Sequence, residues 1–229
     1  MCGRYTLINL AALTQAFPWI EELPPEQPGR FNIAPTQPVL VVANNHADRF
    51  EHFHWGLIPS WAKDPAVGNR MINARAETLA EKPAFRTALR RRRCLVPADG
   101  FYEWRRDPGG GKAKTPMRIT VKSGDVFAFA GLWDAWHGPD GGVVPSCTLI
   151  TTTPNGLMAG IHDRMPVILK PQDYRRWLDP AERDPAEMTA LLEPYPAADM
   201  QAVPVSRTVN NPRNESPACI ESVSDEKLF

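Results

Sequence analysis

No run of apolar residues in this chain is long enough to cross a membrane as a helix. The longest, Val126–Trp133, falls far short of the ~20 residues a spanning segment needs. Near the amino end, Asn9, Thr14 and Gln15 interrupt the apolar residues, and no basic stretch leads into them. No signal peptide is expected, and the two absences together predict a soluble, cytoplasmic protein without membrane contact. Cysteine is scarce: Cys2, Cys94, Cys147 and Cys219 never fall into a C-x-x-C pair. No metal site is expected from that spacing, and no disulfide framework is expected where no export signal is read. Net charge is lacking too, with 26 basic against 26 acidic residues, which argues against a protein that coats DNA through bulk charge. The balance is uneven along the chain: residues 1–133 carry 18 basic and 12 acidic groups (+6), and residues 134–229 carry 8 and 14 (−6). One basic face would attract an anion; a fold that interleaves the halves would erase the difference.

What the chain has in excess is proline, 24 in 229 residues, about twice the usual share. The prolines are spread out, so they predict rigid turns and short helices rather than a disordered linker. Between them run strand-like segments at Val39–Ala43, Arg49–Trp55, Arg93–Val96, Phe101–Arg105, Met117–Val121, Val126–Leu132, Cys147–Thr152, Val167–Leu169 and Gln201–Val205. Arg118–Lys122 alternates with period two, and Gly124-Asp125 after it predicts a hairpin. Helical patterns are short: Asn9–Phe17 with Asn9 as N-cap, Lys82–Arg90, Pro171–Leu178 and Pro185–Leu192. Leu23–Arg30 is expected as a rigid connector, and Gly109–Gly111 and Gly138–Gly142 as loop tips. The expected fold class is α+β. It is one domain, 1–229, on a mainly antiparallel, barrel-like β-sheet with short peripheral helices. Residues from about 212 to 229 are expected to form a C-terminal tail.

The first residues, Met1-Cys2-Gly3-Arg4-Tyr5, carry the sharpest chemical signal. Methionine aminopeptidase removes Met1 ahead of a side chain as small as Cys, which leaves an α-amine (reference pKa ~8) beside a thiol (~8.5). Such a 1,2-aminothiol condenses with an aldehyde through its amine, and its thiol then closes a five-membered thiazolidine. A terminal nucleophile needs partners, and three blocks offer them. Ile72–Thr78 holds Asn73 and Arg75 two apart, on one face if extended. Asp99–Trp104 sets Glu103 among aromatics, where burial would raise its pKa toward neutral and suit it to proton transfer. Gly160–Pro166 supplies His162 between ions. Taken singly, each would pass as an ordinary strand carboxylate or loop histidine.

Taken together, MCGRY, FNIAPTQ, WGLIPSWA, INARAET, ADGFYEW, GIHDRMPVIL and PVSRTVNN resemble the SOS-response-associated peptidase (SRAP) family, in order, from Cys2 to about Asn211. The resemblance implies the family fold and a protein that shields abasic sites in single-stranded DNA through a thiazolidine crosslink. It implies Cys2 as nucleophile, Asn73 as a positioning hydrogen-bonder, Glu103 as acid/base and His162 as second catalytic partner. It also implies DNA contacts from Arg4, Arg75 and Arg164 to phosphates, from Pro35 and Trp61 to bases, and from Thr151. No cofactor is implied. The partner is single-stranded DNA carrying an abasic site, met as a monomer associated with the nucleoid. Autoproteolytic removal of the leading residue also fits. Two features depart from the pattern. Ala62 follows Trp61 where some relatives have a second Trp, and Arg90–Arg93 has no counterpart; the latter is expected as a solvated helix end. His52 and His54 share a strand face without supporting ligands and are expected as ordinary strand residues.

Two other readings compete. Class II glutamine amidotransferases also begin Met-Cys-Gly, which makes an N-terminal-nucleophile Cys amidohydrolase the alternative enzyme; hydrolysis of glutamine separates it. A plain single-strand-binding module would use the Arg and Trp residues but leave Cys2 and Glu103 idle. A DNA adduct that survives denaturation excludes it.

Overall fold

The computed structural model describes residues 2–22, 28–106 and 114–223. Its strands are β1 (Tyr5–Leu7), β2 (Arg30–Ile33), β3 (Pro38–Ala43), β4 (Glu51–Trp55), β5 (Asn73–Arg75), β6 (Arg93–Ala98) and β7 (Gly100–Arg106). They continue as β8 (Lys114–Val121), β9 (Phe127–His137), β10 (Val143–Thr152), β11 (Met165–Pro166), β12 (Ile168–Leu169) and β13 (Met200–Pro204). The α-helices are α1 (Leu13–Ala16), α2 (Arg86–Arg91), α3 (Tyr174–Trp177) and α4 (Pro185–Thr189). Proline marks helix starts, as at Pro185, which opens α4 behind the Asp184 cap.

Strands β3, β4, β10, β9 and β6 pair in a closed ring, antiparallel except for β4 beside β10. This is the barrel-like core of a single α+β domain. β9 runs through its wall, and Phe127–Leu132 are all buried, as a strand covered on both faces must be. A second sheet, ordered β13-β8-β7-β1-β2, lies beside the ring. The chain passes from ring to sheet at Asp99-Gly100, where β6 becomes β7. Gly100 leaves no room for a side chain: a Cβ would lie 2.9 Å from both Arg118 Nε and Thr6 Oγ1. Asp99 tightens the crossing by accepting from the Thr6 hydroxyl at 2.6 Å and the Asn9 amide at 2.9 Å. Tyr5, fully buried, packs edge-on against Trp55 and Phe129 of the ring at 5.4 and 5.8 Å. That pins β1, and with it the amino end, to the barrel.

Each of the nine expected strands is found, within a few residues at the ends. Four further strands, β1, β2, β5 and β11, carry no period-two pattern and escaped the sequence reading. The Gly124 turn exists, with φ +76° and its amide on Val121 O at 3.1 Å. It closes no hairpin: β8 pairs with β7 and β13, while β9 pairs with β6, β10 and β12. The chain turns there to change sheets. The β9–β10 connection through Gly138–Gly142 is the true hairpin. Gly109–Gly111 and most of the Leu23–Arg30 connector lie outside the described residues.

Residues 212–223, expected as part of a tail, pack against the second sheet. Asn32, fully buried, donates to the carbonyls of Asn211 and Asn214 at 3.0 and 2.8 Å. Glu215 accepts from the Phe31 and Asn32 amides, and Cys219 is buried with Tyr102, Val205 and Val209. The Arg90–Arg93 run divides. Arg90 and Arg91 pair with Glu182 at 2.7 and 2.6 Å on the surface. Arg93 instead is wholly buried, its guanidinium donating to the carbonyls of Leu89, Arg90, Trp177, Asp179 and Ala181. Burial lowers its pKa to about 10, so it stays charged and ties α2 to the segment after α3. No helix among the described residues is long and apolar enough to cross a membrane.

Candidate active site

The amino end is set by strand pairing. β1 runs antiparallel to β7, Tyr5 opposite Phe101, and the Tyr102 amide extends the ladder to Arg4 O at 2.9 Å. Two residues further back, Cys2 is fully buried. Its carbonyl accepts from Asn73 Nδ2 at 2.8 Å. Asn73 opens β5, which lies parallel to β10 with Asn73 opposite Leu149. Its Oδ1 is buried and has no hydrogen-bond partner among the described residues, a vacant acceptor beside the first residues of the chain. The Cys2 thiol approaches Arg4 O at 4.0 Å. Burial first, and the Glu103 carboxylate second, push its pKa far above the ordinary thiol range. Against the free thiol's reference value of ~8.5, burial keeps it protonated.

Glu103 lies on β7, opposite Met117 of β8, and is 3% exposed. Alternation along the strand sets it on the inward face with Phe101. Burial raises its pKa, against a lowering by nearby positive charge, His162 included. His162 follows a single 3-10 turn, Met158–Gly160. Its Nε2 stands 3.9 Å from Glu103 Oε2, and its Nδ1 lies 3.0 Å from the Arg164 amide and 2.9 Å from Asp163 Oδ1. In the neutral ring Nδ1 accepts from the Arg164 amide, which leaves the proton on Nε2, facing Glu103. In the charged ring Nδ1 turns donor and Asp163 becomes its partner. The arrangement sets an imidazole and a carboxyl 3.9 Å apart near the buried Cys2 thiol.

The expected DNA-contact residues divide by what they touch. Trp61 is 65% exposed and Arg75 is exposed, the latter without an ion pair among the described residues. Pro35 is half-buried and precedes Thr36, whose φ of +71° stores strain in a turn that would favour glycine. Arg4 is held inside the protein: its Nη1 donates to Asn32 Oδ1 and Val209 O, both at 2.7 Å, and its guanidinium stands 5.7 Å over the Trp104 ring. Arg164 is a fork-on-fork partner of Glu77, at 2.6 and 2.9 Å, and also donates to Thr151 O at 2.6 Å. Thr151 is wholly buried. The structure thus gathers Cys2, Asn73, Glu103 and His162 where the two sheets meet and leaves Arg75 and Trp61 at the surface. Arg4, Arg164 and Thr151 are bound into the framework. The sequence reading missed Glu77, which anchors the turn carrying His162; its place in the same INARAET block was the available signal.

The ring-and-sheet fold buries Cys2 with an amide, a carboxyl and an imidazole around it. The chain belongs to the SOS response associated peptidase (SRAP) family, whose model matches residues 1–212. It is 50% identical over 226 residues to the abasic site processing protein YoqW of Bacillus subtilis, covering 97% of this chain and all of that one. To the abasic site processing protein HMCES of Xenopus tropicalis it is 36% identical, over 74% of this chain and 56% of the relative. A crystal structure of a protein from Bacteroides thetaiotaomicron superposes with a TM-score of 0.84 at 28% identity, covering 97% of this chain and all of that chain.

Proposed function

We propose that the protein captures abasic sites in single-stranded DNA by forming a thiazolidine with Cys2 once Met1 is removed. The observation that carries this reading is the placing of Cys2: fully buried, its carbonyl 2.8 Å from Asn73 Nδ2, in the electrostatic reach of Glu103. The printed names of the relatives, which describe abasic site processing, support the same substrate.

An abasic deoxyribose exists as a closed hemiacetal and an open aldehyde. His162 Nε2–H donates to the ring oxygen as it leaves while the Glu103 carboxylate takes the proton of the anomeric hydroxyl, which opens the sugar to the aldehyde. The Cys2 amine attacks the aldehyde carbon, and the carbinolamine loses its hydroxyl as water, with Glu103 as the carboxylic acid giving the proton. The Cys2 thiol then adds across the resulting C=N bond: sulfur bonds to carbon, and the thiol proton passes to nitrogen through the Glu103 carboxylate. The balance is aldehyde plus aminothiol to thiazolidine plus water. Because the thiol is held protonated, the amine acts first and the sulfur only once the imine lies against it. Asn73 Oδ1 accepts a hydrogen bond from the amine or a sugar hydroxyl and aligns the attack. Trp61 stacks on a neighbouring base and Arg75 binds a phosphate. The protonated thiol argues against a resting thiolate–His162 pair, so autoproteolysis of the leading residue would need Glu103 or His162 to take the thiol proton during attack.

Intact-mass measurement of the protein mixed with an abasic single-stranded oligonucleotide tests the reading. The expected product lacks Met1 and carries the oligonucleotide minus one water, and it survives denaturation. A variant that retains a residue ahead of Cys2 is expected to form no stable adduct, and equal crosslinking by it would falsify the mechanism. Release of glutamate and ammonia from glutamine would instead favour the amidohydrolase reading.

A further inference from the structure

Trp61 is exposed, yet the turn that carries it is held at three points. Ala62 N bonds Pro59 O at 2.8 Å, which makes Ser60 and Trp61 the two corner residues of a β-turn. Surface turns of this kind ordinarily move more than the strands they join. Here the backbone is gripped by side chains from the β9–β10 hairpin. Asp134 and Trp136 lie two apart on β9, and Ser146 stands opposite Asp134 on β10. Strand alternation therefore sets all three on one face. Ser146 Oγ accepts from the Ile58 amide at 2.8 Å, and Asp134 Oδ2 accepts from the Ser60 amide at 2.9 Å. Trp136 Nε1 donates to the Ala62 carbonyl at 2.7 Å. The last two bonds fall on the residues immediately before and after Trp61. Asp134 is itself fixed: it is buried, its Oδ1 accepts from the Ala135 amide at 2.8 Å, and Arg92 Nη2 stands 3.4 Å from its Oδ2. The Trp136 ring lies back over the hairpin turn, where a Cβ on Gly138 would come within 3.2 Å of it.

We propose that Asp134 and Trp136 are positioning residues for strand binding: they fix the backbone on both sides of Trp61, so that its ring is set as a stacking platform before DNA arrives. This rests on the single-stranded-DNA reading above. Ala62 brings no second ring to the turn, so stacking there falls to one side chain, and binding depends on how well that side chain is placed in advance. A ring that must first be ordered loses affinity to the entropy of ordering it, roughly 2–10-fold for one side chain. Arg92 has its use in the same device. It balances the Asp134 charge, which would otherwise repel phosphates beside the platform. The hairpin end that projects past the ring thus acts on the strand without touching it.

The test is a mutant cycle in the full chain. Trp136→Phe keeps a ring against Gly138 and removes the N–H that reaches Ala62 O; Asp134→Ala removes the acceptor of the Ser60 amide. Each is made alone and together with Trp61→Ala. Binding of an undamaged, labelled single-stranded oligonucleotide is read by anisotropy, and crosslinking of an abasic oligonucleotide is followed at rising DNA concentration. Either substitution alone should speed hydrogen exchange at the Ser60 and Ala62 amides and weaken binding by roughly 2–10-fold. The half-saturating DNA concentration for crosslinking should rise by the same factor. The rate at saturation should not change, because Trp61 is no part of the reacting group. With Trp61→Ala already present, neither substitution should weaken binding further. Unchanged binding by Trp136→Phe overturns the proposal. So does equal weakening with and without the Trp61 ring, which would show that the hairpin residues serve the fold or meet the strand themselves. If Asp134→Ala does not fold, the Trp136→Phe cycle decides alone. If Trp61→Ala binds as tightly as wild type, there is no platform to position and the proposal falls. If wild type crosslinks no abasic oligonucleotide, the capture reading fails, and the cycle on undamaged strand still decides whether the hairpin positions Trp61.

Discussion

Glu103→Gln keeps the shape of the side chain and removes the proton it exchanges. General acid–base groups contribute roughly 10²–10⁴-fold to rate, about 3–5 kcal/mol of barrier. Single-turnover crosslinking by the variant should therefore be slower by about that factor on every abasic substrate. The pH profile carries a sharper signature. The first attack needs the free amine, and the dehydration needs Glu103 as acid, so the wild-type rate should rise and then fall with pH. Because burial raises the Glu103 pKa, the fall should begin above the ordinary carboxylate range; the Gln variant should lose it. Stability should shift the opposite way to activity. With its folded pKa above the unfolded value of ~4.3, native Glu103 holds protons the unfolded chain has released. Wild-type stability then declines as pH rises from ~4.3 through the folded pKa, by about 1.4 kcal/mol per unit of displacement. Glu103→Gln carries no such penalty. It should melt higher than wild type at pH 7 and equal to it near pH 4, as sites that sacrifice stability for activity do. A wild-type rate, a retained descending limb, or a variant less stable at pH 7 than at pH 4 relative to wild type would each refute the assignment.

Three further outcomes are expected. Trp61→Ala, at a 65% exposed position, should leave stability within ±0.5 kcal/mol. It should weaken binding of single-stranded DNA by about 1–3 kcal/mol, read by thermal melts and anisotropy; intact affinity would exclude stacking. Arg93→Met removes the guanidinium that donates to five carbonyls, and should cost about 3–5 kcal/mol in denaturant unfolding. Glu77→Gln loosens the Arg164 pair and through it the amide that faces His162 Nδ1. It should slow crosslinking of closed hemiacetal more than of an open-chain aldehyde, and equal slowing on both would show that Glu77 serves only the fold.

The strands that make the ring were legible because each buries a stretch long enough to show alternation or a continuous apolar run. Val39–Ala43 and Val126–Leu132 are such stretches. The strands that position the chemistry were not legible. β1 and β5 have three residues each, too few for a period, and their pairing with β7 and β10 depends on contacts far along the chain. Cys2, Asn73, Glu103 and His162, which the fold brings together, were instead singled out through residue chemistry and motif order. The arginines show the limit of that route. Nothing near Arg4 announces its bonds to Asn32 and Val209, nor does anything near Arg164 announce Glu77, 87 positions away. Charge is visible in a sequence, whereas the partner that neutralises it is set by the fold. The Gly124 turn makes the same point: its chemistry is local, but which sheet the next strand joins is not.

The fastening of Arg4 and Asn32 to Val209, Asn211 and Asn214 has a consequence in time. The amino end of the molecule is synthesised first, yet the carbonyls that Arg4 and Asn32 bind come from residues made some two hundred positions later. On the proposed reading, in which Met1 is removed, a growing chain exposes its amino end for trimming while the contacts around Arg4 are still incomplete. Only when the last part of the domain arrives can the two ends be buckled together. Such pairing of distant segments also slows folding, which lengthens the interval in which the terminus can be trimmed.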